Sequence, residues 1–213
     1  MGDGGLGVIG REIAGYLAAQ GAKHLVLSSR RGPAEATQRR IDECGRQHDC
    51  EFRVVTADVS DAREVERLLD MVGAEMPALR GIVHAAGEIG TTALTDLDDD
   101  EVDRVFSGKV WGAWHLSEAA AGLPLDFFIS TSSIASVWGG FGQTAYGAAN
   151  AFLDALAWRL RERGIAGVSV NFGPWSAGMA DAESRARLEQ RGIKTLSPTH
   201  ALDGLADVVA TAS

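Results

Sequence analysis

The sequence predicts an α/β domain built on a doubly wound parallel sheet, with helices on both faces. Three observations lead there. Strand-like apolar runs alternate with helical patterns along the chain, and that spacing implies crossover connections between parallel strands. A glycine-rich segment, Gly5-Leu6-Gly7-Val8-Ile9-Gly10, stands at the mouth of the first helix. The chain has 213 residues, 46% hydrophobic and 23% charged, which suits one domain with a sizeable core.

The elements follow in order. Residues 8–20 set Ile9, Ile13, Ala14 and Leu17 on one helical stripe, with Gly21 as the stop. HLVLSS at 24–29 reads as a buried strand, and 33–48, opening on Pro33, as an exposed helix. EFRVVTA at 51–57 is a strand; the helix from Ser60 to Val72 takes Ser60 as its N-cap. RGIVHAA, ending at 86, is a strand, and 98–121 one long helix opened by Asp98, Asp99 and Asp100, whose charge suits a helix N-terminus. A strand at 125–133, a helix at 144–163 and a strand at 168–172 follow, then two short helices near 182–192 and 198–210. No strand precedes the glycine turn and none closes the chain, so the sheet is expected to lack its first and last strands, and residues 1–213 to be one domain cut at both ends from a longer polypeptide.

Charge and composition exclude several function classes. The net charge is −9, with no basic tract to follow a phosphate backbone, which argues against nucleic acid. No apolar run spans a bilayer and the N-terminus has no signal-peptide core, so a cytoplasmic enzyme, or a domain of one, is expected. Cys44 and Cys50 lack CxxC spacing and clustered histidines, so neither a disulfide framework nor a metal site is expected.

The glycine turn fits GxGxxG through Gly5, Gly7 and Gly10, a backbone that can approach a pyrophosphate with free N–H groups. Alone it is weak. Its context is the second strand, which ends in Ser28-Ser29-Arg30-Arg31 where an adenosine ribose would lie. A carboxylate there would bind the 2′-hydroxyl of NAD; arginines, with Ser29, favour the 2′-phosphate of NADPH. Asp58, beside Val59 after the third strand, is either a partner of the adenine amino group or a turn-capping residue. His84-Ala85-Ala86-Gly87 offers small residues for a nicotinamide ribose.

A second constellation lies further on. Tyr146 stands thirteen residues past Ser133, and Asn150 four past Tyr146 on the same helical face. Lys109 lies midway along the preceding long helix. Each has a plainer reading: Ser133 as a cap, Tyr146 as core, Lys109 as a solvated charge, Asn150 as a turn former. Their joint spacing, after a glycine turn and an arginine-ended strand, argues for convergence at the carboxyl ends of the strands.

On these residues the chain resembles the ketoreductase domain of a modular polyketide synthase, within the short-chain dehydrogenase/reductase superfamily and its Rossmann-like fold. GGLGVIG, HLVLSSRRGP, ADVSD, IVHAAG, KVWGAWHL, STSSIASVWGGFGQTAYGAANAFLDALA and NFGPW occur in the family's order. Stand-alone members usually carry lysine four residues past the tyrosine and asparagine on the preceding helix; here the two are exchanged, as in synthase-embedded ketoreductases.

The resemblance implies NADPH-dependent reduction of a β-ketoacyl chain on an acyl carrier protein, among neighbouring synthase domains. It implies that Tyr146 donates the proton, Ser133 hydrogen-bonds the same oxygen, Lys109 lowers the Tyr146 pKa and holds the nicotinamide ribose, and Asn150 orients Lys109 or a relay water. Gly173-Pro174-Trp175 would flank the nicotinamide or simply turn the chain. The place of the LDD triplet of D-yielding members reads Glu88-Ile89-Gly90-Thr91, and Trp138 stands eight residues before Tyr146, as in L-yielding members. Position 143 is glutamine rather than the histidine linked to epimerised substituents. An L-β-hydroxyl product is expected, with a space-filling Trp138 as the bland alternative. Departures are the missing first strand and Asp3, whose carboxylate lies close to the expected pyrophosphate. Rival readings are a stand-alone reductase, such as a β-ketoacyl-carrier-protein reductase, and a catalytically inactive ketoreductase fragment.

Overall fold

The computed structural model describes residues 4–176 and 192–212, with side chains as far as Val208. A single 3-10 turn at Gly4–Leu6 leads into α1 (Val8–Ala19). Then come β1 (His24–Ser29), α2 (Glu35–His48), β2 (Glu51–Thr56), α3 (Ala62–Glu75) and β3 (Gly81–His84). Next are α4 (Asp99–Phe106), a π turn at Ser107–Trp111 and α5 (Gly112–Ala119). The chain continues through β4 (Phe127–Ser133), α6 (Ala135–Trp138), α7 (Thr144–Glu162), β5 (Gly167–Phe172) and α8 (Pro198–Ala212). The helix expected near 182–192 and the reading of Asp3 fall outside the described residues.

All described strand pairings are parallel. β1 pairs with β2, Ser29 opposite Thr56, and β3, β4 and β5 pair in that order, with His84 opposite Ser130 and Ser133 opposite Phe172. No described strand joins the two ladders. The turn at Gly4–Leu6 lies between their carboxyl ends: a Cβ on Gly4 would stand 3.5 Å from the Ser28 carbonyl and 3.7 Å from the Ala86 N.

Period-two alternation along β4 divides the core. Phe128 joins a cluster with Val65, Leu116, Leu153 and Leu160 beneath α3, α5 and α7. Its neighbour Ile129 points the other way, to Ile13, Val168, Leu202 and Leu205 beneath α1 and α8. Both faces are thus covered, as the apolar strands require. The expected stripe on α1 is the one that packs: Ile13 and Ala14 are buried, with Ile9 and Leu17 against them.

Helix ends show where local chemistry decided. Gly21, at φ +99°, closes α1: its N–H bonds the Ala18 carbonyl, and that of Ala22 the Leu17 carbonyl. The N-cap of α3 is Asp61 rather than Ser60. Ser60 is already engaged, donating its N–H and hydroxyl to the Asp58 carboxylate. Asp98 caps α4 by accepting from the Glu101 N–H at 2.9 Å. The helix expected over 98–121 is not uniform: the π turn interrupts it at Lys109 and Val110, both buried.

Candidate active site

The glycine turn is shaped by close approach. A Cβ on Gly10 would fall 1.9 Å from the Gly4 carbonyl oxygen, and one on Gly5 would lie 3.0 Å from Leu27 Cα. Only bare backbone fits at Gly10, so the turn folds tightly onto β1 and α1. Gly7 caps α1 in extended conformation, with no side chain bonded to the first N–H groups. These form a cradle suited to an anionic diphosphate.

The groove above the turn is lined by Gly4, Gly5, Ser29, Arg30, Asp58 and Val59, and on its far side by the segment His84–Gly87. Ser29 is buried and its hydroxyl bonds the Arg31 carbonyl. Arg31 is exposed. The Arg30 guanidinium reaches across the groove to Glu88 at 2.8 Å. Asp58 accepts from the Ser60 N–H and hydroxyl in a local turn and still lines the groove, while Asp61 caps the helix. His84 is buried, its Nε2 3.1 Å from the Lys109 carbonyl; burial first, then the Lys109 charge, pushes its pKa down to about 3, so it is neutral.

The residues expected to be catalytic come together from three elements. The π turn carries Lys109 beneath the end of β3, where Gly87 has no side chain to obstruct it: a Cβ there would lie 2.6 Å from Lys109 Cε. Lys109 Nζ donates to the Thr131 carbonyl at 2.9 Å and stands 5.6 Å from the centre of the Tyr146 ring. Burial lowers its pKa to about 8, and the Asp154 charge works against that fall. Lys109 is therefore a buried cation at neutral pH, not a solvated charge.

Tyr146, on the first turn of α7, is 9% exposed. Burial raises its phenol above the usual value, while the side chains of Ser133, at the end of β4, and Asn150 pull it partly back. The net effect is upward, opposite to the depression expected from Lys109, and the phenol stays protonated at neutral pH. Ser133 Oγ also accepts from the Ala135 N–H, at the start of α6, at 3.2 Å. Asn150 is fully buried; its Nδ2 donates to the Tyr146 carbonyl at 2.7 Å, and its Oδ1 has no protein partner. It makes no hydrogen bond to Lys109. A buried amide oxygen without a partner inside a polar site fits the place of a bound water or ligand hydroxyl.

Trp138 is 70% exposed on α6, with Val137 and Phe141 exposed beside it, so the ring does not fill core space. Gln143, half-buried, precedes α7 and lies over Gly140. Gly173 and Pro174 form the turn after β5, tied by the Pro174 carbonyl to the Leu196 N–H at 2.8 Å. The Trp175 ring packs against Phe172 in the core, while Gly173 and Pro174 stay partly exposed.

Sequence reasoning missed Asp154. Its carboxylate accepts from Ser136 Oγ at 2.7 Å, Ser169 Oγ at 2.5 Å and Asn171 Nδ2 at 2.9 Å. Asn171 in turn reaches the Ser133 carbonyl at 3.4 Å. The signal was available, since Asp154 stands four residues past Asn150 on the helical face that carries Tyr146. The Thr131 carbonyl had no signal, because any residue supplies one.

The glycine cradle, the arginine-ended strand and the unpartnered Asn150 oxygen all fit a nicotinamide dinucleotide. Known proteins share this sequence pattern and fold. The family model of the KR domain matches residues 3–177. The phenolphthiocerol synthesis polyketide synthase type I Pks15/1 of Mycobacterium marinum is 38% identical over 97% of this chain, which spans 10% of that protein. An A1-type ketoreductase structure is 36% identical with a TM-score of 0.90, covering 98% of this chain and 44% of its own. A C2-type ketoreductase from a modular polyketide synthase is 31% identical, with a TM-score of 0.86 over 99% of this chain and 45% of its own. Overall shape therefore does not separate these types. With the exchanged Lys109 and Asn150 in place, the chain belongs to the ketoreductase domains of modular polyketide synthases, within the short-chain dehydrogenase/reductase superfamily, whose members use nicotinamide cofactors.

Proposed function

We propose that this domain catalyses NADPH-dependent reduction of a β-ketoacyl thioester, carried by an acyl carrier protein, to a mainly L-configured β-hydroxyacyl thioester. The observation that carries the reading is the convergence of Lys109, Ser133, Tyr146 and Asn150, with the lysine buried and the phenol protonated. The nicotinamide supplies the hydride when bound. The turn through Gly5, Gly7 and Gly10 would hold its diphosphate, Arg30 with Ser29 and Arg31 would hold its 2′-phosphate, and the 84–87 segment would take its ribose.

The protein's own residues then handle the oxygen. Ser133 Oγ and Tyr146 Oη hydrogen-bond the substrate carbonyl. As the carbon receives hydride, the π pair moves to oxygen, and the Tyr146 proton passes to it, leaving a phenolate and a hydroxyl. The Lys109 cation, 5.6 Å from the ring centre, stabilises that phenolate. Asp154 and the Thr131 carbonyl keep Lys109 placed and charged. Trp138 is exposed on α6, and on this reading it borders the acyl chain's path and favours one direction of entry.

The chain covers between 3% and 13% of the synthases it resembles, and it acts as a catalytic ketoreductase subdomain on chains delivered by a carrier protein beside other synthase domains. The exchanged lysine and asparagine count against a stand-alone reductase, and the intact constellation counts against an inactive fragment. Single-turnover reduction of a β-ketoacyl thioester by Tyr146→Phe tests the reading. Loss of nearly all reduction is expected, with NADPH affinity close to normal. A variant that kept most of its rate would show that Tyr146 is not the acid.

A further inference from the structure

Glu88 has no part in the mechanism above, yet it occupies a decisive position. It follows the 84–87 segment, and one of its oxygens is 2.8 Å from Arg30 while the other is 2.9 Å from Arg104 on α4. The Arg30 contact crosses the mouth of the groove, from the end of β1 to the turn after β3. Behind that bridge the groove has a volume of about 50 Å3, far below the roughly 300–1,000 Å3 of small-molecule sites.

The position of Glu88 is not that of a loose surface side chain. It is only 25% exposed, and the loop that follows it is pinned by Glu101. The Glu101 carboxylate accepts from the N–H groups of Thr91 at 3.0 Å and Thr92 at 3.3 Å, and from the Thr92 hydroxyl. A Cβ on Gly90 would stand 2.8 Å from a Glu101 oxygen, so the loop lies directly on it. Two arginines flank one carboxylate, one on each oxygen, and Arg104 also stands 3.7 Å from Glu101.

We propose that Glu88 competes with the 2′-phosphate for Arg30 and so sets how strongly this domain discriminates NADPH from NADH, with Arg104 as the partner that holds Glu88 when Arg30 turns to the phosphate. The inference rests on the reading of Arg30 as the phosphate ligand. A carboxylate and a phosphate cannot both take the same face of one guanidinium, and two anions so close repel. Arg104 lowers the cost of the exchange, because the carboxylate it retains is never left unpaired. The arrangement therefore gives Glu88 and Arg104 opposite effects on phosphate binding.

Calorimetric titration of the 213-residue chain with 2′,5′-ADP and with 5′-AMP separates these ideas without any turnover. Glu88→Gln should bind 2′,5′-ADP about twofold to fivefold tighter, the range expected for losing a partly exposed ion pair, and 5′-AMP as before. Arg104→Ala should bind 2′,5′-ADP more weakly, and that loss should vanish in the Glu88→Gln background. Unchanged or weaker 2′,5′-ADP binding by Glu88→Gln, beside a wild type that prefers it to 5′-AMP, would overturn the competition alone. A wild type with no such preference, or no binding of either nucleotide, would overturn the reading of Arg30 and this inference with it.

Discussion

Replacing Lys109 with methionine should make this domain more stable while removing most of its activity. In the folded chain burial holds the Lys109 pKa at about 8, against 10.5 for a free side chain. At about 1.4 kcal/mol per pH unit, the buried cation costs roughly 3 kcal/mol of folding free energy at pH 7. Methionine fills similar space without charge, but it leaves the Thr131 carbonyl without its 2.9 Å donor, a loss of about 1 kcal/mol. Asp154 keeps its three neutral donors, so it is not orphaned. The net gain at pH 7 is about 2 kcal/mol, or some 4–8 °C in Tm for a domain of this size.

The pH dependence carries the sharper test. The folded state binds the lysine proton less tightly than the unfolded state does. The cost is therefore fully present below about pH 8 and disappears as pH rises from about 8 to 10.5. Urea unfolding followed by tryptophan fluorescence should show the variant ahead by about 2 kcal/mol at pH 7, about 1 at pH 9 and about 0 at pH 10. A variant less stable than the wild type at pH 7, or an advantage that does not change with pH, would refute the reasoning.

Gly10→Ala places a methyl group 1.9 Å from the Gly4 carbonyl oxygen; calorimetry should show a loss of about 1–3 kcal/mol and a marked fall in NADPH affinity, and normal binding would refute the tight turn. Arg30→Ala should weaken NADPH about tenfold or more while sparing NADH; an unchanged preference in fluorescence titrations of both Arg30 and Arg31 variants would reject the arginine-ended strand as the phosphate site. Chiral chromatography of the product should give mainly the L-β-hydroxyacyl form, where about 1.4 kcal/mol between entry directions suffices for roughly tenfold excess; a mainly D product would reject the role given to Trp138.

Periodicity and spacing by themselves determined the alternation of parallel strands and helices, because short apolar runs between amphipathic helices suit strands covered on both faces, and Gly21 marked the end of α1, where φ turns positive. Residue spacing likewise put Tyr146 and Asn150 on neighbouring turns of one helix, after a strand that ends at Ser133. What it could not reach were effects set by partners distant in sequence. The N-cap of α3 moved to Asp61 because Asp58 had taken Ser60. The helix expected over 98–121 widens at Lys109, since that turn must deliver a buried ammonium beneath Gly87 to the Thr131 carbonyl, a contact 22 residues away in sequence. Charge pairing was equally hidden: Arg30 and Glu88 are 58 residues apart and meet only because two parallel ladders bring the ends of β1 and β3 to the same edge of the groove. Local patterns report what a segment prefers; pKa values, ion pairs and the π turn arise from burial and proximity, which exist only once the chain has folded.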